Sequence, residues 1–355
     1  MKVEFFIFRS MVNFLRKLNL WVIFFTLLAY IAPFVSPQTM SFLLFIGLAY
    51  PWLLLLNGVF VFLWAASRMK YWWYSLVCIL LGWNYFTTVI GINFIEEKKT
   101  SPSIKVMTYN MGAIPNMKEQ NTLKFNKFIK DEDCDIICGE EIGGKMAFKE
   151  VNKRFTELVS YPFQSHLEEN TIVILSKYPI LNQTAIPLPS PNGSNGCTFA
   201  DIQINDKVVR IYAIHLQSNI VSGIADDLSK HADYEERATY SKAYKMLKLV
   251  RNMAQIRAKQ AEILANHIAS SPYPVIVCGD FNDIPVSYTY RTLSQNLNDA
   301  FEKRGFGFGT TYLGSIPALK IDYILTDKRI KIFNCKILKV PYSDHYPMVS
   351  ELGLP

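Results

Sequence analysis

The distribution of apolar residues divides this chain into two parts with different patterns. Before residue 98 there are three long apolar runs without a charged side chain, Leu20–Val35, Ser41–Ala66 and Trp72–Phe94. Each approaches or exceeds the length of about 20 residues that a helix needs to cross a bilayer. The runs predict three transmembrane helices, which form a membrane anchor over residues 1–97. The alternative is a signal peptide followed by buried core helices, because Met1–Ile31 has a basic start and an apolar middle.

The positions of basic residues predict how such an anchor is oriented. Positive charge stays on the cytoplasmic side of a membrane, and an odd number of spans carries the rest of the chain across. The sequence therefore predicts a multi-pass membrane protein whose second part lies outside the cytoplasm. The apolar runs contain no charged residue or histidine, which favours an anchor over a transporter. The basic residues that flank the runs are Lys2, Arg9, Arg16, Lys17, Arg68 and Lys70.

After a charged linker, residues 98–103, the pattern changes to short runs rich in Val, Ile, Tyr and Phe. These runs are typical of β-strands, and apolar periodicity near 3.6 predicts helices over residues 121–130 and 234–270. Several strands are apolar throughout, which suits sheets covered on both faces. We expect one mixed α/β domain over residues 104–355. The predicted strands are 104–110, 135–139, 171–176, 197–204, 208–216, 275–280, 321–326 and 331–338.

Charge and cysteine content exclude some functions. The chain has 37 basic and 30 acidic residues, and its formal net charge is +7. This mild excess lacks the concentrated basic patch of a strong nucleic-acid binder. The six cysteines have no CxxC spacing, so we expect them to pack in the interior rather than to bind zinc.

Polar residues follow the ends of many predicted strands. Because loops at strand ends build active sites on a rigid frame, these residues predict one shared site. Oxygen ligands of the Asp, Glu and Asn type suit Mg²⁺, with Mn²⁺ as a second possibility. Two histidines beside them fit metal-assisted hydrolysis of a phosphate ester. The residues are Asn110, Glu140, Glu141, His215, Asp280, Asn282, Asp322, Asp344 and His345.

The motifs VMTYN, DIICGEE, YAIHLQS, VIVCGDFND, KIDYILTD and YSDHYP, in this order, resemble the endonuclease/exonuclease/phosphatase superfamily. The resemblance covers residues 103 to 355. It implies the fold of deoxyribonuclease I, a four-layer α/β sandwich in which two packed mixed β-sheets are flanked by helices. It also implies that Glu141 is the main metal ligand and that Asn110 and Asp344 help to fix the metal.

The resemblance also implies roles for the remaining site residues. Asp280 would orient or deprotonate the attacking water, and Asn282 would hold that water or the phosphate. His215 and His345, the latter paired with Asp322, would contact the scissile phosphate, and Asn110 would share in substrate binding. The alternation of side chains along an extended segment predicts that Asp280 and Asn282 share a face.

Two points stay open at this level. The family usually has Gln-Glu where this chain has Glu140-Glu141. Glu141 aligns with the ligand of the family, but either carboxylate could reach the metal, or the extra one could alter the metal preference. No carboxylate partner for His215 is apparent from the sequence. Lys177, Tyr178, Arg257 and Gln260 lie in or near these motifs, and we assign them structural rather than catalytic roles.

The sequence thus predicts a membrane-anchored, divalent-metal-dependent phosphoesterase acting on a phosphodiester, phosphomonoester or pyrophosphate. The anchor favours a lipid-linked phosphate as the substrate. The alternatives are an extracytoplasmic endonuclease or exonuclease acting on DNA or RNA, and a catalytically silent membrane adaptor. No protein partner is predicted.

Overall fold

The structure is a computed structural model of the 355-residue chain. It describes residues 2–94, 97, 102–112, 114, 117–142, 155–166, 171–191, 195–218, 237–314 and 319–355. The chain divides into two compact units. One comprises Met1–Thr87 and Val286–Tyr288, and the other comprises Thr88–Pro285 and Thr289–Pro355.

The first unit is helical. Its helices are held together partly by buried polar side chains: Asn57 Nδ2 donates to Thr26 Oγ1 at 2.8 Å, and Asn19 Nδ2 donates to Ser75 Oγ at 2.7 Å. Such bonds between helices satisfy polar groups that would be costly among apolar side chains. The helices span Lys2–Ile31, Ala32–Phe34 (a 3₁₀ turn), Phe42–Leu48, Tyr50–Ala66, Trp72–Leu81 and Trp83–Val89.

The prediction of three transmembrane helices is wrong for the described residues. One segment, Phe6–Phe34, is long and apolar enough to cross a membrane, and the same test is passed by a signal sequence. The second run is broken into two helices, Phe42–Leu48 and Tyr50–Ala66, whose axes differ by 54°. These two helices are long enough for a second span only if they are counted together. Pro51 lies in the first turn of the second of these helices, where its ring and missing N–H prevent continuation from the preceding helix. The third run contains the ten-residue helix Trp72–Leu81, which is too short to span.

The second unit contains two six-stranded mixed sheets and one two-stranded sheet. The strand orders are β10-β12-β9-β8-β7-β6 and β13-β14-β2-β3-β5-β4, and β1 pairs with β11. The pairs β2/β3 and β8/β9 are parallel, and the remaining pairs are antiparallel. The strands are β1 Ile90–Ile92, β2 Ser103–Asn110, β3 Ile136–Glu140, β4 Phe163–His166, β5 Val173–Ser176, β6 Ile180–Ile186, β7 Gly196–Ile204, β8 Lys207–His215, β9 Val275–Asp280, β10 Leu297–Asp299, β11 Phe306–Phe308, β12 Asp322–Asp327, β13 Lys331–Ile337 and β14 Met348–Gly353.

The apolar core lies between the two large sheets, and helices cover their outer faces. Val106 and Ile136 of one sheet pack in the same cluster as Ile211 and Ile276 of the other. The helix Glu119–Glu132 covers the first sheet with Phe125 and Ile129. The helix Arg237–Ala269, here called the long helix, covers the second sheet with Leu264 and its neighbours. Two mixed sheets flanked by helices are thus confirmed.

The predicted helices are both present, with bounds that differ slightly from the expectation. Residues 121–130 lie within Glu119–Glu132, and the long helix is described from Arg237, so that its predicted start at residues 234–236 lies outside the described residues. The remaining described helices are Thr156–Val159, Tyr288–Ser294 and Ala300–Arg304. All six cysteines are buried and free, as expected for packing residues.

Candidate active site

The strand register brings the predicted residues to one edge of the two sheets. Asn110 ends β2 opposite Glu140 of the parallel strand β3. His215 ends β8 opposite Asp280 of the parallel strand β9. Asp322, at the start of the antiparallel strand β12, also pairs with Asp280. Strands of both sheets therefore end at a shared edge, although these residues are far apart in the sequence.

Asp280 lies at the centre of this edge. Its Oδ2 accepts hydrogen bonds from Asn110 Nδ2 at 3.2 Å and from Asn282 Nδ2 at 3.3 Å. The same oxygen lies 3.9 Å from His215 Nε2 and 3.8 Å from His345 Nε2. Asp280 thus contacts or closely approaches four of the predicted site residues, and Asn110 joins it to the other sheet.

Asn282 reaches Asp280 through a turn and not through strand alternation. Its backbone is left-handed, with φ of 52°, and its N–H donates to Asp280 Oδ1 at 2.7 Å. Asn tolerates this conformation because its side chain bonds locally; here Nδ2 also donates to Leu216 O at 3.0 Å. The expectation that the two side chains meet because they alternate on an extended segment is therefore wrong, although the side chains do meet. Phe281 between them is buried.

Gly279 permits the close approach of β9 to β8. Its φ is +141°, and a Cβ at this position would lie 1.9 Å from the carbonyl oxygen of Ile214. Only glycine adopts such backbone angles without strain. The glycine before Asp280 is thus needed for the backbone geometry that places the carboxylate.

Each histidine lies against a carboxylate. His345 Nδ1 is 3.1 Å and 3.0 Å from the two Asp322 oxygens. His215 Nε2 is 3.3 Å from Glu141 Oε1, which is within the range of an ion pair. The two groups are not aligned for a hydrogen bond. Glu141 is therefore the partner that the sequence did not identify. The pairing crosses from one sheet to the other, and no sequence spacing indicates it.

The two adjacent glutamates have different environments. Glu140 is fully buried in β3, and its Oε1 accepts from Thr108 Oγ1 at 3.1 Å. Glu141 has a left-handed backbone with φ of 58°, a side chain that is 43% exposed, and an Oε1 that accepts from Asn110 Nδ2 at 3.0 Å. Burial raises the pKa of Glu140 well above its usual range. Glu141 is thus the carboxylate that faces the site.

The acidic and basic groups of the site have strongly perturbed pKa values. Interaction with His215 lowers the pKa of Glu141 to about 2. Burial, followed by the charge of Asp322, raises the pKa of Asp280 to about 6. Burial alone would lower the pKa of His345, but Asp322 and Asp280 outweigh it and raise this pKa to about 10. Burial likewise opposes protonation of His215, yet its pKa is raised because Glu141 and Asp280 lie close. Such shifts cluster at functional sites.

Asp344 forms no described hydrogen bond to the other predicted site residues. It is exposed, and its Oδ1 accepts a hydrogen bond from Ser343 Oγ at 3.2 Å. Its carboxylate belongs to neither of the two described groups of possible metal ligands. Its role as a ligand remains a prediction.

Several supporting residues were not identified as site residues from the sequence. Thr311 Oγ1 accepts from the backbone N–H groups of Ile321 and Asp322, at 3.0 Å and 3.2 Å, and so fixes the start of β12. The ring of Tyr312 lies 5.0 Å from that of His345. No sequence signal marks either residue, because their roles depend on a loop folding back onto the sheet edge.

The residues given structural roles have structural contacts. Arg257 is fully buried and donates from Nη1 to Gln217 O at 2.9 Å. Gln260 Oε1 accepts from Gln217 N at 2.9 Å. Both therefore hold the segment that follows His215. Lys177 pairs with Asp133 at 2.6 Å.

The donor set fits a divalent cation. Glu141, His215 and Asp280 each offer a ligand atom within 4.8 Å of one another, and Asp280, Asp322 and His345 form a second such group. Carboxylate and amide oxygens suit Mg²⁺ and Mn²⁺, and imidazole nitrogens suit softer transition metals.

Comparisons with known proteins agree on the fold. A sequence profile described as "Endonuclease/Exonuclease/phosphatase family" matches residues 107–345, and one described as a domain of unknown function matches residues 12–89. No curated protein matches the chain.

Solved structures with a similar fold cover about 71–72% of this chain. An endonuclease/exonuclease/phosphatase from Bacteroides vulgatus has a TM-score of 0.51 and 19% identity, over 72% of this chain and 100% of its own. Sphingomyelinase C from Streptomyces griseocarneus has a TM-score of 0.50 and 15% identity, over 71% and 99%. A humanized D. rerio TDP2 has a TM-score of 0.52 and 15% identity, also over 71% and 99%. At such identities the likeness is one of fold.

Proposed function

Because the chain belongs to the endonuclease/exonuclease/phosphatase family, we propose that it is a divalent-metal-dependent phosphoesterase that acts on a lipid-linked phosphate at a membrane. Family membership confirms the predicted class of enzyme, a hydrolase of phosphate ester bonds. The observation that carries the proposal is the convergence on Asp280 of an amide and two histidines, with Glu141 beside them. This set of groups is suited to metal-assisted hydrolysis of a phosphate ester.

We assign the roles within this set by the chemistry of each group. Glu141 and Asn110, with Asp344, would hold the cation. A bound divalent cation supplies positive charge that polarises the phosphoryl oxygens and lowers the pKa of a coordinated water. Asp280 would orient the attacking water and accept its proton, because its carboxylate is buried and has a pKa near neutrality. A base with such a pKa is efficient near pH 7.

The two histidines and Asn282 would act on the phosphate. His345, kept protonated by Asp322, would donate a hydrogen bond to an oxygen on which charge develops. His215, whose Nε2 lies 3.9 Å from Asp280 Oδ2, would do the same. Donors that are fixed before the reaction stabilise this charge without reorganisation. Asn282, anchored by its bond to Leu216 O, would hold the water or the phosphate.

The apolar segment Phe6–Phe34 supports action at a membrane. An anchored catalytic unit meets lipid-linked phosphates at high local concentration, which favours a phospholipid or an isoprenoid pyrophosphate over a soluble nucleic acid. Lys2 precedes this segment, and Arg9, Arg16 and Lys17 lie in its N-terminal half; with this end in the cytoplasm, a single span would place the catalytic unit outside the cytoplasm. To test this placement, a cysteine is introduced near the C-terminus of the chain, and intact cells are treated with a membrane-impermeant thiol reagent. A cysteine that is protected from this reagent would contradict the placement.

The function is tested with the full-length chain in detergent. We expect Mg²⁺-dependent hydrolysis of bis-p-nitrophenyl phosphate, and a loss of about 10²-fold or more in Glu141→Ala and Asp280→Ala. Asp327→Ala is the matched control, because Asp327 lies at the other end of β12 and pairs with Arg329. Unchanged hydrolysis in the first two variants would refute the assigned site.

A substrate panel tests the lipid assignment separately. It compares a phospholipid, an isoprenoid pyrophosphate and single-stranded and double-stranded DNA. Faster turnover of DNA than of both lipids would replace the proposed substrate class with that of a nuclease.

A further inference from the structure

The two-stranded sheet of β1 and β11 carries its large apolar side chains on one face. Residues directly opposite each other in an antiparallel pair project to the same side of a sheet, and successive pairs alternate between its two sides. The central pair is Gly91 with Gly307, and the pairs on either side of it consist of large apolar residues. We call residues 90–94 and 306–308 the ribbon. The paired apolar residues are Ile90 with Phe308 and Ile92 with Phe306.

The glycine side of the ribbon packs against the second unit. Gly91 is buried, and a Cβ at this position would overlap the backbone of Gly305. The backbone N–H of Asn93 donates to Gly305 O at 3.2 Å, and Gly309 N donates to Val89 O at 2.9 Å. The ribbon is thus held at both of its ends, and its apolar face is the one that points away from the unit.

This outward face is open to solvent. Phe94, Phe306 and Phe308 are 80%, 63% and 73% exposed. The rings of Phe94 and Phe306 contact each other, with centroids 4.9 Å apart, and a groove of about 510 Å³ extends the apolar surface from this pair to Phe333 and Ile337. Single exposed apolar side chains are normal on a soluble domain, whereas a contiguous group marks an interaction surface.

The first unit indicates which surroundings this part of the chain meets. Its large apolar side chains Phe14, Phe62 and Leu81 are exposed, whereas Asn19 and Asn57 are buried. A soluble protein has the opposite distribution. Apolar side chains outside and hydrogen-bonded polar side chains inside are expected of helices that lipid surrounds, and the candidate membrane span belongs to this unit.

We propose that the ribbon docks on the interfacial layer of a lipid bilayer and inserts Phe94, Phe306 and Phe308 among the lipids. The first unit ends at Thr87, and the ribbon begins at Ile90. Because an extended chain covers at most about 3.5 Å per residue, the start of the ribbon lies within about 11 Å of the end of that unit. A bilayer around the first unit is therefore within reach of the ribbon. Aromatic side chains are enriched at this boundary between lipid and water.

This inference rests on the proposed membrane location and goes beyond the proposed hydrolysis, because no residue of the ribbon belongs to the candidate active site. The ribbon would be a contact with the bilayer in addition to the helices. Two contacts would restrict how the second unit turns on the membrane, whichever phosphate ester is cleaved.

The test measures the depth of the ribbon in lipid, with the full-length chain in phosphatidylcholine nanodiscs. The native cysteines are buried, so Phe308→Cys can be labelled with a fluorescent dye and quenched by lipids that carry a nitroxide. Quenching should be stronger with the nitroxide near the headgroup than with one at the end of the acyl chain, because an interfacial side chain lies only about 5–10 Å into the headgroup and acyl boundary.

Two further labelled positions make this measurement specific. Leu123→Cys is the matched control, because Leu123 is exposed to a similar degree on the helix Glu119–Glu132, and its dye should not be quenched. Phe24→Cys reports insertion of the first unit, because Phe24 is exposed within the candidate span, and its dye should be quenched.

A variant tests whether the phenylalanine side chains cause the contact. Phe94→Ser/Phe306→Ser in the labelled Phe308→Cys protein should lose the quenching, with an unchanged thermal midpoint as evidence of folding, because both side chains are exposed. The quenching of the parent protein should persist at about 1 M salt, because insertion of apolar side chains does not depend on charge.

Three results would overturn the proposal. Quenching at position 24 without quenching at position 308 would leave the membrane location intact and refute the contact of the ribbon. Undiminished quenching in the serine variant would refute the role of the phenylalanines. A blue shift at position 308 that is seen only in discs holding two copies of the chain, without quenching by lipid, would assign the ribbon to a second copy. If neither position 24 nor position 308 is quenched, the membrane location fails together with the ribbon contact. None of these readouts requires activity, so the proposed hydrolysis is judged separately.

Discussion

The substitution Asp322→Asn tests the electrostatic design of the candidate site. Asp322 is buried, and both its oxygens lie about 3 Å from His345 Nδ1. The rise of the His345 pKa from 6.5 to about 10 corresponds to about 5 kcal/mol in favour of the protonated ring. A charge pair about 4 Å apart contributes about 4 kcal/mol at an effective dielectric constant of about 20. Asp322 is therefore the largest of the charges that raise this pKa against the opposing effect of burial.

Without this charge, the pKa of His345 should return towards its ordinary value. At pH 8 the ring would then be protonated in only about one molecule in thirty, instead of nearly all of them. Asp322 also raises the pKa of Asp280, so that pKa should fall below about 6 in the variant. Both limbs of the pH profile should therefore move to lower pH.

The assay is kcat/KM for bis-p-nitrophenyl phosphate between about pH 5 and pH 11, where a bell-shaped profile reports the essential base and acid. Asp327→Asn, at the far end of the same strand, should leave both limbs in place. The folded-state pKa of His345 is raised, so the pair also contributes stability that is fully present below pH 6.5 and is lost as the pH rises through about 10. An alkaline limb that does not move in Asp322→Asn would refute the assignment of His345 as the protonated donor.

Three further predictions concern groups that support the site. Gly279→Ala should destabilise the protein by about 3 kcal/mol or more, because backbone strain and overlap with a carbonyl oxygen act together. Gly307 is also at positive φ but would have no atom near an added Cβ, so Gly307→Ala should cost only about 1 kcal/mol. Thermal unfolding of the two variants measures the difference. At pH 8, Glu140→Gln should unfold at the same or a higher temperature than the unchanged protein. The reason is that a buried carboxyl with a raised pKa makes the folded state less stable as the pH rises above 4.5. A large fall in the unfolding temperature would show that Glu140 works as a charged group. Arg257→Met should lower the free energy of unfolding by about 3–5 kcal/mol, because it leaves Asp283 buried without its cation. Arg251→Met, at an exposed position, should change the free energy of unfolding by about 0.5 kcal/mol or less. Equal effects of the two substitutions would contradict a structural role of Arg257.

Strands whose two faces are both buried could be predicted from the sequence, whereas a strand at a solvent-exposed sheet edge could not. Strands β2, β3 and β9 are apolar because both faces are covered, and the sequence located each to within about a residue. Strand β6, Ile180–Ile186, was missed because it forms a sheet edge and carries exposed polar residues at its centre. The break in the second apolar run was missed for a different reason, since hydropathy measures composition and does not register the bend before Pro51.

The site was predictable in its residue types and only partly in its geometry. Polar residues at the ends of strands indicated a common edge, because the register of a mixed sheet aligns those ends. The directions of Glu141 and Asn282 depend on left-handed backbone angles, which no residue pattern in this segment specifies. The contact between His215 and Glu141 depends on how one sheet packs on the other.

The pKa of Glu141 lies below its ordinary value and that of Asp280 lies above it. This separation explains how one cluster can both hold a cation and take a proton from water. Glu141 is partly open to solvent and lies beside His215, so its pKa falls to about 2 and it stays an anion at any physiological pH. Asp280 is enclosed and faces a second carboxylate, so its pKa rises to about 6 and it exchanges a proton near neutrality. A permanent anion is suited to hold a cation, and a carboxylate near neutrality is suited to take a proton from water. The difference arises from one left-handed residue, which turns Glu141 out of strand β3 while Glu140 stays buried.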